Sequence, residues 1–257
     1  MLPQHKTPPR VDLSDQTILI YGPPKIGKSS FASAAEDALF LATEAGLNHL
    51  NVYQVPIASW NDLLVVCKEV AEGKHSFRSI VLDTIDNAYR FCAAYVCEQN
   101  GIKHESDMPY GKAYALINNE FQRVLTKLSL LPQGLILISH AQTKELDART
   151  GKFTRHEPSL PDKIKRIILA MCDLILFFDT EDSTDANGAL IQQRVIRTKP
   201  TKHYEAGDRS GRLPETIEMD FHKFLEAYRA TASQSTTQAP SKTPTPANNP
   251  KDRRAEK

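Results

Sequence analysis

Runs of consecutive aliphatic residues alternate along most of the chain with stretches in which apolar residues recur every three or four positions. The aliphatic runs are shorter than about ten residues, which predicts buried strands rather than buried helices. The predicted strands are 17–21 (TILIY), 39–42 (LFLA), 51–57, 79–83 (SIVLD), 135–139 (LILIS) and 174–178 (LILFF), and the weakly alternating residues 191–198 predict an edge strand.

Helical spacing of apolar residues predicts helices at 28–38, 59–72, 85–100, 111–131 and 221–229. Ser59 suits the N-cap of the second of these helices, and Gly73 suits the left-handed position that follows a helix end. Aliphatic strands alternating with helices indicate an α/β fold, with a mostly parallel sheet flanked by helices on both faces and added C-terminal edge strands. Such sheets bind ligands beyond the carboxyl ends of their strands.

Composition divides the chain into three regions. Residues 1–16 are polar and proline-rich, which predicts a flexible leader, and residues 17–230 have the pattern of one folded domain. Residues 231–257 contain none of Val, Ile, Leu, Met, Phe, Trp, Tyr or Cys. A segment without these residues buries too little apolar surface to offset its ordering entropy, so we expect a disordered tail.

The overall charge favours no class of partner. The chain of 257 residues has a formal net charge of +1, so any nucleic-acid surface must be a local patch. No apolar run is long enough for a membrane span, and the N-terminus does not have the pattern of a signal peptide. The four cysteines form no CxxC pair, and the histidines show no metal-ligand spacing. We therefore expect reduced thiols and a cytoplasmic protein with no membrane partner.

The strongest motif is the segment GPPKIGKS, which lies between a predicted strand and a predicted helix and matches GxxxxGK[ST]. Backbone N–H groups of such a loop surround phosphate groups, and the helix N-terminus adds its dipole. We expect ATP and Mg²⁺ here, with Lys28 at the β and γ phosphates and Ser29 as a magnesium ligand. The predicted nucleotide-binding set is Gly22, Pro23, Pro24, Lys25, Ile26, Gly27, Lys28, Ser29 and Ser30.

Two carboxylates follow predicted strands at the same edge of the sheet. Asp83 ends an aliphatic strand, which is the Walker B pattern of a residue that faces magnesium from the neighbouring strand; the alternative is a cap for the next helix. Glu44 follows the strand 39–42, where a carboxylate could deprotonate an attacking water; the alternative is a surface residue at a helix start. Asp86 suits a helix cap rather than a ligand.

These motifs together, GPPKIGKS, FLATEAGL, SIVLD and LILISHAQ, resemble the RecA-type ATPases. Within that class the chain resembles phage RecA-like single-strand annealing and recombination ATPases, which are P-loop NTPases with a RecA-like core. The segments YGKAY at 110–114 and IRTKPTKHYEAGDRSGRLP at 196–214 also resemble that group.

The resemblance implies roles for further residues. Glu44 would be the catalytic base, and Gln142 would sense the γ phosphate, with His140 as the competing candidate. Arg197 and Lys199 would reach the ATP of a neighbouring subunit and stabilise charge in the transition state. The implied partners are single-stranded DNA, further copies of the chain in a ring or filament, and a phage single-strand binding protein, in the cytoplasm of a bacterial host.

The resemblance also implies a DNA-binding loop at 144–166. Its basic residues would neutralise DNA phosphates, and Phe153 or His156 could stack on a base, although nearby acidic residues dilute the charge. A second basic loop, 202–212, would lie near the subunit interface. The basic residues of the first loop are Lys144, Arg149, Lys152, Arg155, Lys163, Lys165 and Arg166.

Three functions are therefore consistent with the sequence. The first is a RecA-like ATPase that binds single-stranded DNA and promotes annealing or recombination. The second is a P-loop phosphotransferase acting on a small molecule, and the third is a nucleotide-gated adaptor or loader in phage DNA replication.

Overall fold

A computed structural model describes residues 5, 12–148, 151–184, 188–211 and 213–234. Within this part of the chain a single sheet contains ten strands. They are β1 (Thr17–Gly22), β2 (Ala38–Ala42), β3 (Tyr53–Pro56), β4 (Ser79–Asp83), β5 (Gly134–Ala148), β6 (Gly151–Pro158), β7 (Leu174–Thr184), β8 (Leu190–Arg197), β9 (Gly207–Asp208) and β10 (Thr216–Glu218).

Six α-helices accompany the described strands. They are α1 (Lys28–Ala32), α2 (Trp60–Glu72), α3 (Ile85–Gln99), α4 (Lys112–Ser129), α5 (Asp162–Met171) and α6 (Phe221–Gln234). The predicted ends of α2 are confirmed: the Ser59 hydroxyl accepts a hydrogen bond from the Asp62 N–H, and Gly73 is left-handed with φ 68°.

The strand order β10-β8-β7-β1-β5-β4-β2-β3 places β1 near the middle of the sheet. Strands β7, β1, β5, β4, β2 and β3 pair in parallel, whereas β8 and β10 add to one edge in antiparallel pairs. The predicted fold class is thus confirmed. One expectation is wrong: β4, which ends at Asp83, does not neighbour β1, because β5 lies between them.

Each face of the sheet has its own core, since alternate residues of a strand point to opposite sides. On β1, Leu19 faces a core formed with α2, α3, α4 and α5, whereas Ile18 and Ile20 face a core formed with α1 and α6. Trp60 and Phe121 stack in the first core, and Phe31 packs edge-on against Phe224 in the second. Packing on both faces buries all of β1 and so fixes the point at which the loop after it begins.

Two predicted elements differ from the structure. The helix predicted at 28–38 ends at Ala32, and the chain turns back through Asp37, whose φ is 42°, before β2 begins. The loop predicted at 144–166 is wrong: β5 and β6 form an antiparallel hairpin there, and α5 follows it. Gly151 begins β6 with φ 112°, a conformation that favours glycine, and the buried Ile164 and Ile168 fix α5 against the sheet.

The boundaries of the folded part also differ from the composition-based division. Ser14 is buried and accepts a hydrogen bond from Arg78 at 3.1 Å, so the last residues of the predicted leader pack against the sheet. Helix α6 continues four residues past residue 230. Residues 235–257, and residues 1–11 except His5, lie outside the described part, as do Arg149 and Arg212.

The cysteines agree with the prediction of reduced thiols: all four are free, and Cys92, Cys97 and Cys172 are buried. None of the helices in the described ranges combines the length and the apolar character needed to cross a lipid bilayer.

Candidate functional site

The loop between β1 and α1 approaches the neighbouring strand closely. A β-carbon on Gly22 would lie 2.6 Å from the Phe178 carbonyl oxygen on β7, so only glycine fits at this position. Gly27 begins α1 from a left-handed conformation with φ 112°, which a residue with a side chain rarely adopts. These two glycines explain why the loop can turn tightly at the end of a central strand.

Lys28 lies beneath the loop with its side chain buried. Its ammonium group donates hydrogen bonds to the carbonyl oxygens of Gly22 at 3.0 Å and Pro23 at 2.9 Å. Burial lowers the pKa of Lys28, and the nearby carboxylates of Asp83 and Asp86 oppose this shift. The loop therefore contains a desolvated cation, and such a cation attracts phosphate far more strongly than an exposed lysine does.

The side chains of Ser29 and Asp83 contact each other beyond the ends of β1 and β4, the two strands that flank β5. The Ser29 hydroxyl donates a hydrogen bond to Asp83 Oδ2 at 2.6 Å. Burial raises the pKa of Asp83, and the hydrogen bond from Ser29 and the charge of Lys28 counteract that rise. Hydroxyl and carboxylate oxygens are the ligands that Mg²⁺ prefers, so this pair fits the expected magnesium site.

Asp86 ties the first turn of α3 to β5. Its carboxylate accepts hydrogen bonds from the Ser139 hydroxyl at 3.0 Å and from the His140 N–H at 3.1 Å. Burial raises the pKa of Asp86 to about 6, because these two hydrogen bonds only partly offset the loss of water. Asp86 is therefore a structural link rather than a cap exposed to solvent.

The raised pKa of Asp86 predicts a measurable pH dependence. The folded protein holds this proton more tightly than the unfolded chain, whose Asp pKa is about 3.9, so ionisation between about pH 4 and 6 lowers the unfolding free energy. We expect Asp86→Asn to gain about 2 kcal/mol relative to wild type between pH 4.5 and 7 in urea unfolding. Glu69→Gln, on the exposed face of α2, is the control; an Asp86→Asn difference that does not change with pH would contradict the raised pKa.

Glu44 lies beyond β2, where two polar side chains hold it. Its Oε1 is 3.4 Å from His140 Nε2, and its Oε2 accepts a hydrogen bond from Asn87 at 3.0 Å. His140 is opposite Gly22 in the β1–β5 register, which places it beside the phosphate loop. The sequence motifs do not include Asn87, although its place in the first turn of the helix after Asp83 is a signal that could indicate it.

A cavity of about 420 Å³ joins these groups at the carboxyl ends of the strands. Glu44, Asp83 and His140 line it together with the loop. Gln142 does not line it, because its amide donates to the Pro158 carbonyl on β6 at 3.3 Å. Of the two sensor candidates, the structure therefore brings only His140 to the cavity. The loop residues that line it are Pro24, Lys25, Gly27, Lys28, Ser29 and Ser30.

Arg197 and Lys199 do not reach this cavity within their own chain. The Arg197 guanidinium pairs with Glu181 at 2.9 Å and donates to the Thr216 hydroxyl at 2.9 Å. Lys199 lies 3.8 Å from an Asp208 carboxylate oxygen. Both cations are thus held on the side of the sheet formed by β7 to β10, and their expected role toward a neighbouring subunit stays a prediction.

Comparison with known proteins assigns the family. Residues 14–210 match the family model described as an AAA domain. The chain belongs to this AAA domain family. The curated SPbeta prophage-derived uncharacterized protein YorG of Bacillus subtilis (strain 168) is 24% identical over 201 residues, which are 75% of this chain and 59% of YorG. This chain therefore spans less than two thirds of the length of YorG.

Among solved structures, the flagellar accessory protein FlaH from Methanocaldococcus jannaschii matches 79% of this chain and 84% of FlaH, with 13% identity and a TM-score of 0.41. The AAA domain match includes the loop at 22–29 and the strand that ends at Asp83. It confirms the prediction of a P-loop NTPase, and it supports nucleotide binding and an ATPase activity in general.

Proposed function

We propose that this AAA domain protein binds and hydrolyses ATP with Mg²⁺, and that it couples ATP to the binding and annealing of single-stranded DNA in recombination. The observation that carries the proposal is the arrangement of Glu44 between His140 and Asn87, in the same cavity as Lys28 and Ser29. A carboxylate fixed beside a phosphate loop suits the activation of water.

Each residue of the cavity has a role that follows from its position. Lys28 binds the β and γ phosphates, and the N–H groups of the loop neutralise the remaining phosphate charge. Ser29 and Asp83 would hold Mg²⁺, which neutralises phosphate charge when bound. Glu44 orients and deprotonates the attacking water, and the hydrogen bond from Asn87 fixes the direction in which the carboxylate points.

The hairpin of β5 and β6 supports coupling to DNA. Strand β5 passes His140 and continues without a break to Ala148, beyond the end of β1, so the hairpin projects from the edge of the sheet that carries the cavity. Three of its basic neighbours, Lys144, Arg155 and Lys165, form ion pairs with the buried Glu157 and brace the base of the hairpin.

Other basic residues face solvent and suit phosphate contacts. Lys152 on β6, and Lys163 and Arg166 on α5, are exposed, and within the described ranges none of the three forms an ion pair. Cations without a partner on their own surface neutralise DNA phosphates at the smallest desolvation cost. We assign the DNA contact to these three side chains rather than to the full basic set.

The rings expected to stack on bases already have partners in the chain. His156 stacks on Phe177 with ring centroids 5.5 Å apart, and Phe153 packs against His203. Tyr110 is instead fully exposed, with φ 58°, just before α4. Base stacking on an exposed aromatic ring needs no particular sequence, which fits annealing of arbitrary strands.

Assembly into a ring or filament is part of the proposal, with Arg197 and Lys199 directed at the nucleotide of a neighbouring copy. A phage single-strand binding protein remains the proposed partner. The resemblance in sequence supports both, and the ion pairs of the two cations would have to open for this role.

ATP hydrolysis by the purified protein, with and without single-stranded DNA, tests the proposed function. We expect DNA to stimulate the rate at least about tenfold, because DNA on the hairpin acts on the strand that carries His140. If hydrolysis depends on Lys28 but its rate does not change with DNA, the ATPase activity is supported and the proposed coupling to DNA is contradicted. Slow turnover unaffected by DNA would favour the nucleotide-gated adaptor.

Replacing Lys152, Lys163 and Arg166 together by alanine tests the DNA surface. We expect the affinity for single-stranded DNA to fall at least tenfold at about 0.1 M salt, and the slope of log K against log salt to decrease by about 2, at about 0.7 for each lost phosphate contact. The control replaces three exposed lysines elsewhere, Lys68, Lys74 and Lys127, with the same change in net charge. Equal loss of affinity in both triple variants would contradict the assignment.

A further inference from the structure

The phosphate loop has two flanks of different chemistry. Toward β4 and β2 lie Asp83, Glu44 and His140, the groups suited to magnesium and water. Toward β8 and β10 lie Arg194 and Met219, which the sequence pattern did not indicate. A β-carbon on Gly27 would be 2.8 Å from Met219 Cε and 3.5 Å from Arg194 Nη1, so both side chains lie against the loop.

The backbone fixes these two residues beside one another. The Met219 N–H donates to the Arg194 carbonyl at 3.0 Å, where β10 pairs with β8. Arg194 is exposed, whereas Met219 is half-buried and packs against the core of α1 and α6. The result is a small surface at the loop that combines an apolar thioether with a planar cation.

Arg194 differs from the other cations at this end of the chain. Arg197, three residues further along β8, is neutralised by Asp179 and Glu181, and Lys199 lies beside Asp208. No hydrogen bond or ion pair of the Arg194 side chain occurs among the described residues. Its guanidinium is therefore the one of these three that meets a ligand at the loop without first breaking an intramolecular ion pair.

We propose that Arg194 and Met219 form the nucleoside-binding wall of the site, within the same chain as the loop. This inference rests on the proposed function. If the terminal phosphate of ATP lies toward Asp83 and Glu44, the nucleoside must leave the loop on the opposite flank, where Arg194 and Met219 lie. The guanidinium stacks on the face of the base, as arginine does on planar rings, and the thioether packs beneath it.

Calorimetric titration of the protein with ATP and with inorganic tripolyphosphate, both with Mg²⁺, tests this wall. Tripolyphosphate carries the phosphates without the nucleoside. We expect Arg194→Ala to weaken ATP binding about tenfold, which is typical for the loss of one stacking side chain, and to change tripolyphosphate binding less than about twofold. Arg194→Lys keeps the positive charge but loses the planar guanidinium, so we expect its ATP affinity to be as low as that of Arg194→Ala.

The outcomes separate the two proposals. If ATP and tripolyphosphate bind the wild type no better than they bind Lys28→Ala, the proposed function fails. If the wild type binds both and Arg194→Ala binds ATP equally well, only the nucleoside wall fails. If Arg194→Ala loses tripolyphosphate as strongly as ATP and lysine restores both, Arg194 contacts phosphate, and the assignment to the nucleoside is overturned. Lys68→Ala, an exposed cation on α2, is the control for lost charge.

Discussion

Lys28→Ala is expected to lower ATP affinity at least about a hundredfold and to abolish hydrolysis, because it removes the desolvated cation that the loop encloses. The substitution also leaves the carbonyl oxygens of Gly22 and Pro23 without this donor, and only the loop N–H groups and Mg²⁺ would then offset the phosphate charge. The affinity is measured by equilibrium titration with a fluorescent ATP analogue, and the rate by phosphate release.

A fold check must accompany this measurement, since Lys28 is buried. Burial lowers the pKa of Lys28, which means that the folded protein keeps this charge at some energetic cost. We therefore expect the variant to remain folded by circular dichroism. A folded Lys28→Ala protein that binds and hydrolyses ATP like the wild type would show that the loop at 22–29 is not the nucleotide site.

Glu44→Gln is expected to slow hydrolysis at least about a hundredfold while ATP affinity changes less than about threefold, because the amide cannot accept the proton of the attacking water. The substitution preserves shape, and the amide oxygen of glutamine can still accept the hydrogen bond from Asn87. Single-turnover hydrolysis and equilibrium binding, measured on the same preparation, separate the two effects.

The matched control is Glu36→Gln, an exposed glutamate outside the cavity. If Glu44→Gln hydrolyses ATP at the wild-type rate, Glu44 is not the base. If turnover also ignores DNA, the remaining functions are a nucleotide-gated adaptor and a phosphotransferase whose acceptor is a substrate hydroxyl rather than water. Transfer of labelled phosphate to a small molecule would distinguish these two.

The parts of the site that depend on local sequence were predictable. The loop at 22–29 lies between a strand and a helix as expected, and β4 begins and ends at the predicted residues, because an aliphatic run and a glycine pattern encode their own conformation. The sequence also indicated Glu44 and Asp83. It did not indicate that β5 separates β1 from β4, since strand order depends on contacts between distant parts of the chain.

The features that the sequence does not show are those in which a partner distant in sequence decides the structure. The hairpin was predicted as a loop because β5 and β6 beyond the core are mostly polar, and only their pairing with one another makes them strands. The sequence offers Gln142 and His140 as sensor candidates, and it does not show that the Pro158 carbonyl accepts a hydrogen bond from the glutamine amide. The acidic partners of Arg197 lie on β7, and cross-strand register brings them to it.

Because β5 is continuous, a small rotation beside the cavity becomes a larger displacement at the far end of the hairpin. From His140 to Ala148 the strand extends about 26 Å, at about 3.3 Å per residue, and its pairing with β6 stiffens it along this length. A tilt of about 5° at His140 moves Ala148 by about 2 Å. A displacement of this size is enough to form or break a hydrogen bond to a phosphate group. If DNA binds near Lys152 as proposed, a displacement of this end of the hairpin would be transmitted along β5 to His140, and so to the cavity that contains Glu44.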